Sequence, residues 1–172
     1  MESSLKSLQE RLGYRFNDVT LLHKALTHKS YSNESADDSN ACNERLEFLG
    51  DAVLDLVISQ HTFKKYPDLQ EGELTRIRAE LVSEKNLSLL ASKLEVGPCL
   101  LLGRGERRSG GEQKSSLLAD SMEALFGAIF CDSDYDTARS VVSGCTLSDS
   151  QPGKGDSPKQ NQKIGSTSPP DF

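Results

Sequence analysis

The sequence predicts an all-α fold. Apolar residues recur three and four positions apart in one stretch after another, the spacing of a helix face. No run alternates apolar and polar residues for long enough to read as a strand. Residues that start or stop helices, among them Gly13, Asn17, Pro67, Ser83 and Gly97-Pro98, fall between the periodic stretches.

Leu5, Leu8 and Leu12 make one side of a first short helix, and Gly13 ends it. Asn17 is the expected N-cap of a second helix, Asp18 to about His28, with Leu21, Leu22 and Leu26 inward. His28, at its end, reads as a structural histidine. The polar stretch Ser32–Asn40 reads as a mobile loop. A long helix runs from Asn43 to about Tyr66, where Pro67 stops it. Leu46, Leu49, Val53 and Leu56 form its expected core stripe. Glu71–Val82 is helical again with Leu74, Ile77, Leu81 and Val82 inward, and Ser83 caps a further helix bearing Leu87, Leu89, Leu90 and Leu94. Leu100-Leu101-Leu102 reads as a short buried segment, followed by a Gly-rich basic loop over Gly103–Gly111. Lys114 to about Cys131 is the second strong helix, with Leu117, Leu118, Met122, Leu125, Phe126 and Ile129 making a broad apolar surface. A last short helix is expected over Asp134–Val142.

Composition changes at about Ser143. Residues 1–143 are expected to be one folded domain and 144–172 a disordered low-complexity tail. The tail is dominated by Ser, Pro, Gly, Gln, Lys and Asp, with too few apolar residues for a core. The 172-residue chain carries 27% charged and 35% apolar residues and a net charge of −6, a globular composition that excludes a simple basic nucleic-acid coat. No run reaches the roughly 18 apolar residues that cross a bilayer, and the N-terminus lacks the apolar core of a signal peptide. Cys42, Cys99, Cys131 and Cys145 include no Cys-x-x-Cys pair, so neither zinc nor a disulfide framework is indicated. A cytoplasmic location and no membrane partner are expected.

The chemistry lies in the carboxylates. Glu44, Glu47 and Asp51 are spaced i, i+3, i+7 and form an acidic stripe on the long helix. Like charges so placed repel, and a hard cation with oxygen ligands would offset the repulsion. Gly50 lies within the same helix, where a glycine costs roughly 1 kcal/mol relative to alanine, so close approach of another backbone is expected there. Asp120 and Glu123 are i, i+3 on the second strong helix, among core-type residues, and should sit at the core's edge with partners or a metal. If the two helices pack together, Glu47, Asp51, Asp120 and Glu123 converge. Such a cluster suits one or two Mg²⁺ ions and phosphodiester hydrolysis. Arg104, Arg107 and Arg108 in the Gly-rich loop, with Arg76 and Arg78, suit phosphate contacts.

Five stretches, in order, resemble the ribonuclease III family. They are Ala25–Ser30 (Ala-Leu-Thr-His-Lys-Ser), Asn43–Asp51 (Asn-Glu-Arg-Leu-Glu-Phe-Leu-Gly-Asp), Glu71–Leu74, Arg78 with Leu81-Val82, and Leu118–Asp120 with Glu123–Leu125. The resemblance covers about Leu5 to Ala138. It implies a helical nuclease domain that forms a homodimer and cuts double-stranded RNA with Mg²⁺, for which Mn²⁺ can substitute, in the processing of ribosomal and other RNAs. It implies Glu47, Asp51, Asp120 and Glu123 as metal ligands, with Asp51 and Glu123 catalytic, and Glu44 and Glu71 as supporting acids of the cleft. It also implies Lys114 as a basic residue beside the last acidic motif and Phe48 as an aromatic that inserts into the partner subunit. The alternative is a non-catalytic RNA-binding or ribosome-associated relative, which would have no reason to carry all four ligands. The family's bacterial members usually add a double-stranded-RNA-binding domain, and residues 144–172 are too poor in apolar residues to build one.

Overall fold

The structure is a computed structural model that describes residues 2–35 and 42–147. Among these the chain is helical, with no strand; the one β contact is an isolated parallel bridge between Thr27 and Leu101. The elements are α1 (Glu2–Leu12), α2 (Val19–Ala25), α3 (Lys29–Ser35), α4 (Glu44–Lys65), α5 (Glu71–Leu81), α6 (Glu84–Lys93), α7 (Arg104–Arg108), α8 (Ser115–Asp132) and α9 (Tyr135–Leu147). Short 3₁₀ turns at Gly97–Cys99 and Gly111–Gln113 flank α7.

The centre of the fold is α8, which is buried nearly all round, as a helix apolar on every side must be. Its largest contact is with α4; α6 and α2 also lie against it. The α4–α8 contact is made backbone to backbone through two glycines. A methyl group on Gly50 would collide with the carbonyl oxygen of Glu123 and lie 2.8 Å from the amide nitrogen of Gly127. A methyl group on Gly127 would collide with the carbonyl of Leu46 and lie 3.0 Å from the amide nitrogen of Gly50. The close approach expected at Gly50 is therefore present, and its reciprocal glycine is Gly127.

Several expected boundaries shift. Asp18, not Asn17, caps α2, its carboxylate accepting from the Thr20 N–H at 2.9 Å. Asn17 and Asp18 instead donate their backbone N–H groups to Asp132 at the end of α8. The second helix ends at Ala25, and Lys29–Ser35, expected to be helix end and loop, is a separate helix. The remainder of the expected loop, 36–40, lies outside the described residues. Arg104–Arg108 is a helical turn within the expected basic loop. Helix α9 continues past Ser143-Gly144 to Leu147, because Val142, Cys145 and Leu147 keep its apolar side against the core. Residues 148–172, most of the expected tail, lie outside the described residues.

The core stripe of α4 also differs from expectation. It is centred on Gly50 and comprises Leu46, Val53, Leu54, Val57 and Ile58. Leu56 lies off it, 52% exposed, on an outward stripe with Phe48 (82%) and Phe63 (72%). No residue of α5 is fully buried; Leu74, Ile77 and Leu81 are half-buried. The reason is that α5 packs mainly on α4 and lies away from the central α4–α8 contact.

Replacing Gly50 by alanine should destabilise the fold by about 2 kcal/mol or more, the cost of overpacking where only backbone can move. Gly72→Ala, at a site with open space around it, should be neutral or slightly stabilising. Denaturant unfolding of the two variants checks the contrast; equal stability would show that the helices separate at little cost.

Candidate metal centre

The glycine contact places the acids. Glu123 lies one helical turn before Gly127 on α8, and Asp120 lies one turn before Glu123. Glu47 precedes Gly50 on α4. One carboxylate oxygen from each of Glu47, Asp120 and Glu123 lies within 4.8 Å of the other two, and all three residues are half-buried.

Their electrostatics are those of a site lacking a counter-charge. Burial, then the charges of Asp51 and Glu47, push Glu123 from its ordinary 4.5 up to about 7. Burial, then Asp120 and Glu44, raise Glu47. Burial, then Glu84, raise Asp120. No ion pair among the described residues involves any of the three. Three crowded carboxylates, with no ion-paired cation among the described residues, fit a hard divalent ion as donor set.

The other expected acids are placed differently. Asp51 is exposed and outside the 4.8 Å group, yet its charge is the largest acting on Glu123. Glu44 is exposed and paired with Lys29 at 3.0 Å, which lowers its pKa. Glu71 stands at the start of α5, accepting from the Thr75 hydroxyl at 2.9 Å beside the groove between α4 and α5. The structure does not bring Glu71 to the acid cluster of its own chain.

The basic residues divide in two. Arg76 and Arg108 are exposed and make no ion pair with a described residue. Four others have partners within the chain. Arg78 donates to the Ser59 hydroxyl and lies 3.9 Å from Asp55. Arg104 faces Glu34 at 3.5 Å. Arg107 faces Glu112 and donates to the Leu100 carbonyl at 2.9 Å, which pins α7 to the buried segment. Lys114 holds Glu106 at 2.8 Å and keeps that carboxyl ionised. Glu106, Glu84 and Gly127 were not singled out from the sequence; Gly127, four residues after Glu123, carried the one available signal, a glycine inside a strong helix.

The sequence profile of the Ribonuclease-III-like family matches residues 18–149. The chain belongs to the ribonuclease III family. It is 55% identical over 135 residues to Ribonuclease 3 of Syntrophotalea carbinolica, covering 78% of this chain and 58% of that protein. Against Ribonuclease 3 of Desulforamulus reducens it is 49% identical over 141 residues, covering 82% and 57%. The chain thus spans somewhat more than half the length of these relatives. A solved structure of the ribonuclease III nuclease domain from Campylobacter jejuni, described for flexibility in a region involved in dimer formation, superposes with a TM-score of 0.77 at 39% identity, covering 83% of this chain and 95% of that one. The match to a nuclease domain along nearly its whole length agrees with the helical architecture described above.

A family fold built around an acid cluster has a pH signature. Glu123 binds its proton more tightly folded, at about 7, than at its ordinary 4.5. The associated stability is complete below about 4.5 and is lost as pH rises through about 7. In chelator, the melting temperature of the protein should therefore fall across that window, and Glu123→Gln should remove most of the slope. Identical pH profiles for the two proteins would contradict the crowding of charge at this site.

Proposed function

We propose that the chain is the catalytic part of a divalent-cation-dependent endoribonuclease that hydrolyses double-stranded RNA and acts as a homodimer, with ribosomal RNA precursors among its substrates. The observation that carries this reading is the cluster of Glu47, Asp120 and Glu123. It draws on two helices distant in sequence and lacks a counter-cation. A scaffold would avoid that cost by neutral residues at the same positions.

Glu47, Asp120 and Glu123 would hold the ion, with Asp51 beside them. Mg²⁺ fits the all-oxygen donor set, and Mn²⁺ can replace it. A bound ion supplies Lewis-acid stabilisation of charge on the phosphoryl oxygens and lowers the pKa of water. The chain's own residues do the remaining work. The Gly50–Gly127 contact fixes the spacing of the acids. Lys29 holds Glu44 aside from the cluster, and Lys114 does the same to Glu106. Arg76 and Arg108 are free to meet phosphates, and the exposed pairs of Arg78 and Arg104 are weak enough to exchange for them.

The outward stripe supports a dimer. Phe48 is 82% exposed and stands between the acid stripe and Leu56 and Phe63. Beside it Leu56, Phe63 and Leu74 line an apolar groove of about 360 Å³ between α4 and α5. An exposed apolar stripe next to an apolar groove on one helix is self-complementary under a two-fold axis. Such an axis gives each strand of a duplex its own acid cluster.

Asp120→Asn and Glu123→Gln should each lower cleavage of long duplex RNA in Mg²⁺ below detection, while duplex binding in Ca²⁺ largely survives. Cleavage at the unsubstituted rate by both variants would rule the site out. Phe48→Ala should weaken the dimer by on the order of 2 kcal/mol or more, seen as a shift toward monomer in sedimentation. A monomeric, fully active unsubstituted protein would contradict the dimer.

A further inference from the structure

His28 is not accounted for by the acid cluster or by the dimer. It lies in the turn between α2 and α3, where its backbone N–H donates to the Leu101 carbonyl at 3.0 Å. Its imidazole is half-buried. The Ser30 backbone N–H donates to Nδ1 at 3.2 Å, so the ring caps the first turn of α3. The Ser30 hydroxyl lies 2.8 Å from the same nitrogen and accepts from the Gly103 N–H at 2.9 Å. Glycine is required at 103, since a methyl there would come within 2.6 Å of the Ser30 carbonyl.

This relay determines the tautomer. A backbone N–H can only donate, so Nδ1 accepts and carries no proton. In the neutral ring the proton is on Nε2, which makes no hydrogen bond to any described residue. Burial holds its pKa below the ordinary value, and the charges of Glu106, Lys29, Asp120 and Glu44 act on the ring. It is thus a neutral N–H donor, fixed in rotation, within electrostatic reach of Asp120 and Glu44, and its Nε2 has no partner among the described residues. A neutral donor there can bind an anionic oxygen without competing for the cation, as a lysine would.

We propose that His28 is a substrate-contacting residue whose Nε2–H donates to a non-bridging phosphate oxygen of the RNA strand lying over the acid cluster. This rests on the nuclease reading above. It adds one charge-assisted hydrogen bond that positions the phosphodiester, and it gives the Gly103–Ser30–His28 relay a purpose beyond capping a short helix.

The test separates capping from donation. Asparagine places an acceptor where Nδ1 stands and has nothing at Nε2; glutamine reaches the Nε2 position and cannot cap in the same way. His28→Asn should melt like the unsubstituted protein and bind Mg²⁺ equally, yet its kcat/KM on duplex RNA should fall about ten- to a hundredfold, the usual weight of a hydrogen bond to a charged group. His28→Gln should melt at lower temperature and retain more cleavage than His28→Asn. Nitrogen-15 NMR of the unsubstituted protein at pH 7.5 should show the Nε2–H tautomer, and its Nε2 resonance should move when duplex RNA is added in Ca²⁺. The Nδ1–H tautomer, an unmoved Nε2 resonance, or full cleavage by His28→Asn would each overturn the proposal. If His28→Asn fails to fold, the NMR measurement decides alone. If the unsubstituted protein does not cleave duplex RNA but its Nε2 resonance still responds to it, the nuclease reading fails and the contact stands.

Discussion

Everything in this fold depends on the two helices α4 and α8 touching at their backbones. Two glycines, Gly50 and Gly127, face each other where any side chain would collide with a carbonyl. A glycine in a helix interior costs roughly 1 kcal/mol of helix stability, and here two are present in the two longest helices. The close approach offsets that cost with apolar packing along the length of the contact, from Leu46 to Ile58 on one side and through Met122, Leu125 and Ile129 on the other. It also sets where the acids stand, because Glu47, Asp120 and Glu123 are each within a turn or two of the glycine pair.

Bringing those acids together is unfavourable for the chain by itself. Burial raises all three carboxyl pKa values, most of all that of Glu123, and neighbouring acids add to it: Asp51 and Glu47 at Glu123, Asp120 and Glu44 at Glu47, Glu84 at Asp120. The lysines nearby are engaged elsewhere, Lys29 with Glu44 and Lys114 with Glu106. The charge of Lys29 still lowers Glu47 and Asp120, but none of the three acids has an ion pair of its own among the described residues. A divalent ion bound as proposed would supply the missing charge, and would stabilise the fold by its binding free energy.

The sequence made the long elements and the acids legible because their signals are strong. Helical periodicity over α4 and α8 leaves little choice, and Gly50 in the middle of α4 pointed to a close backbone contact. What escaped is short or tertiary in origin. Helix α3 has no apolar stripe of its own; the ring of His28 caps it and Gly103 and Glu34 tie it to α7. Helix α7 has five residues, too few for a period to show. Ser143-Gly144 read as a helix end, whereas Gly144 is exposed and Cys145 continues the apolar side of α9. Leu56 counts as core by spacing from Leu46, yet the buried face is centred on Gly50, and a turn of about 100° per residue places Leu56 beyond its edge. Glu71 carries the expected motif but stands on α5, which packs mainly against α4.

If the α4–α8 contact builds a cation site from Glu47, Asp120 and Glu123, that site should appear in calorimetric titration of Mg²⁺ into the chelator-treated protein, above the pH at which Glu123 ionises. Saturable binding is expected, with the strongest site lost in Glu123→Gln and retained in Glu71→Gln. Equal binding by all three proteins, or none by the unsubstituted one, would contradict it.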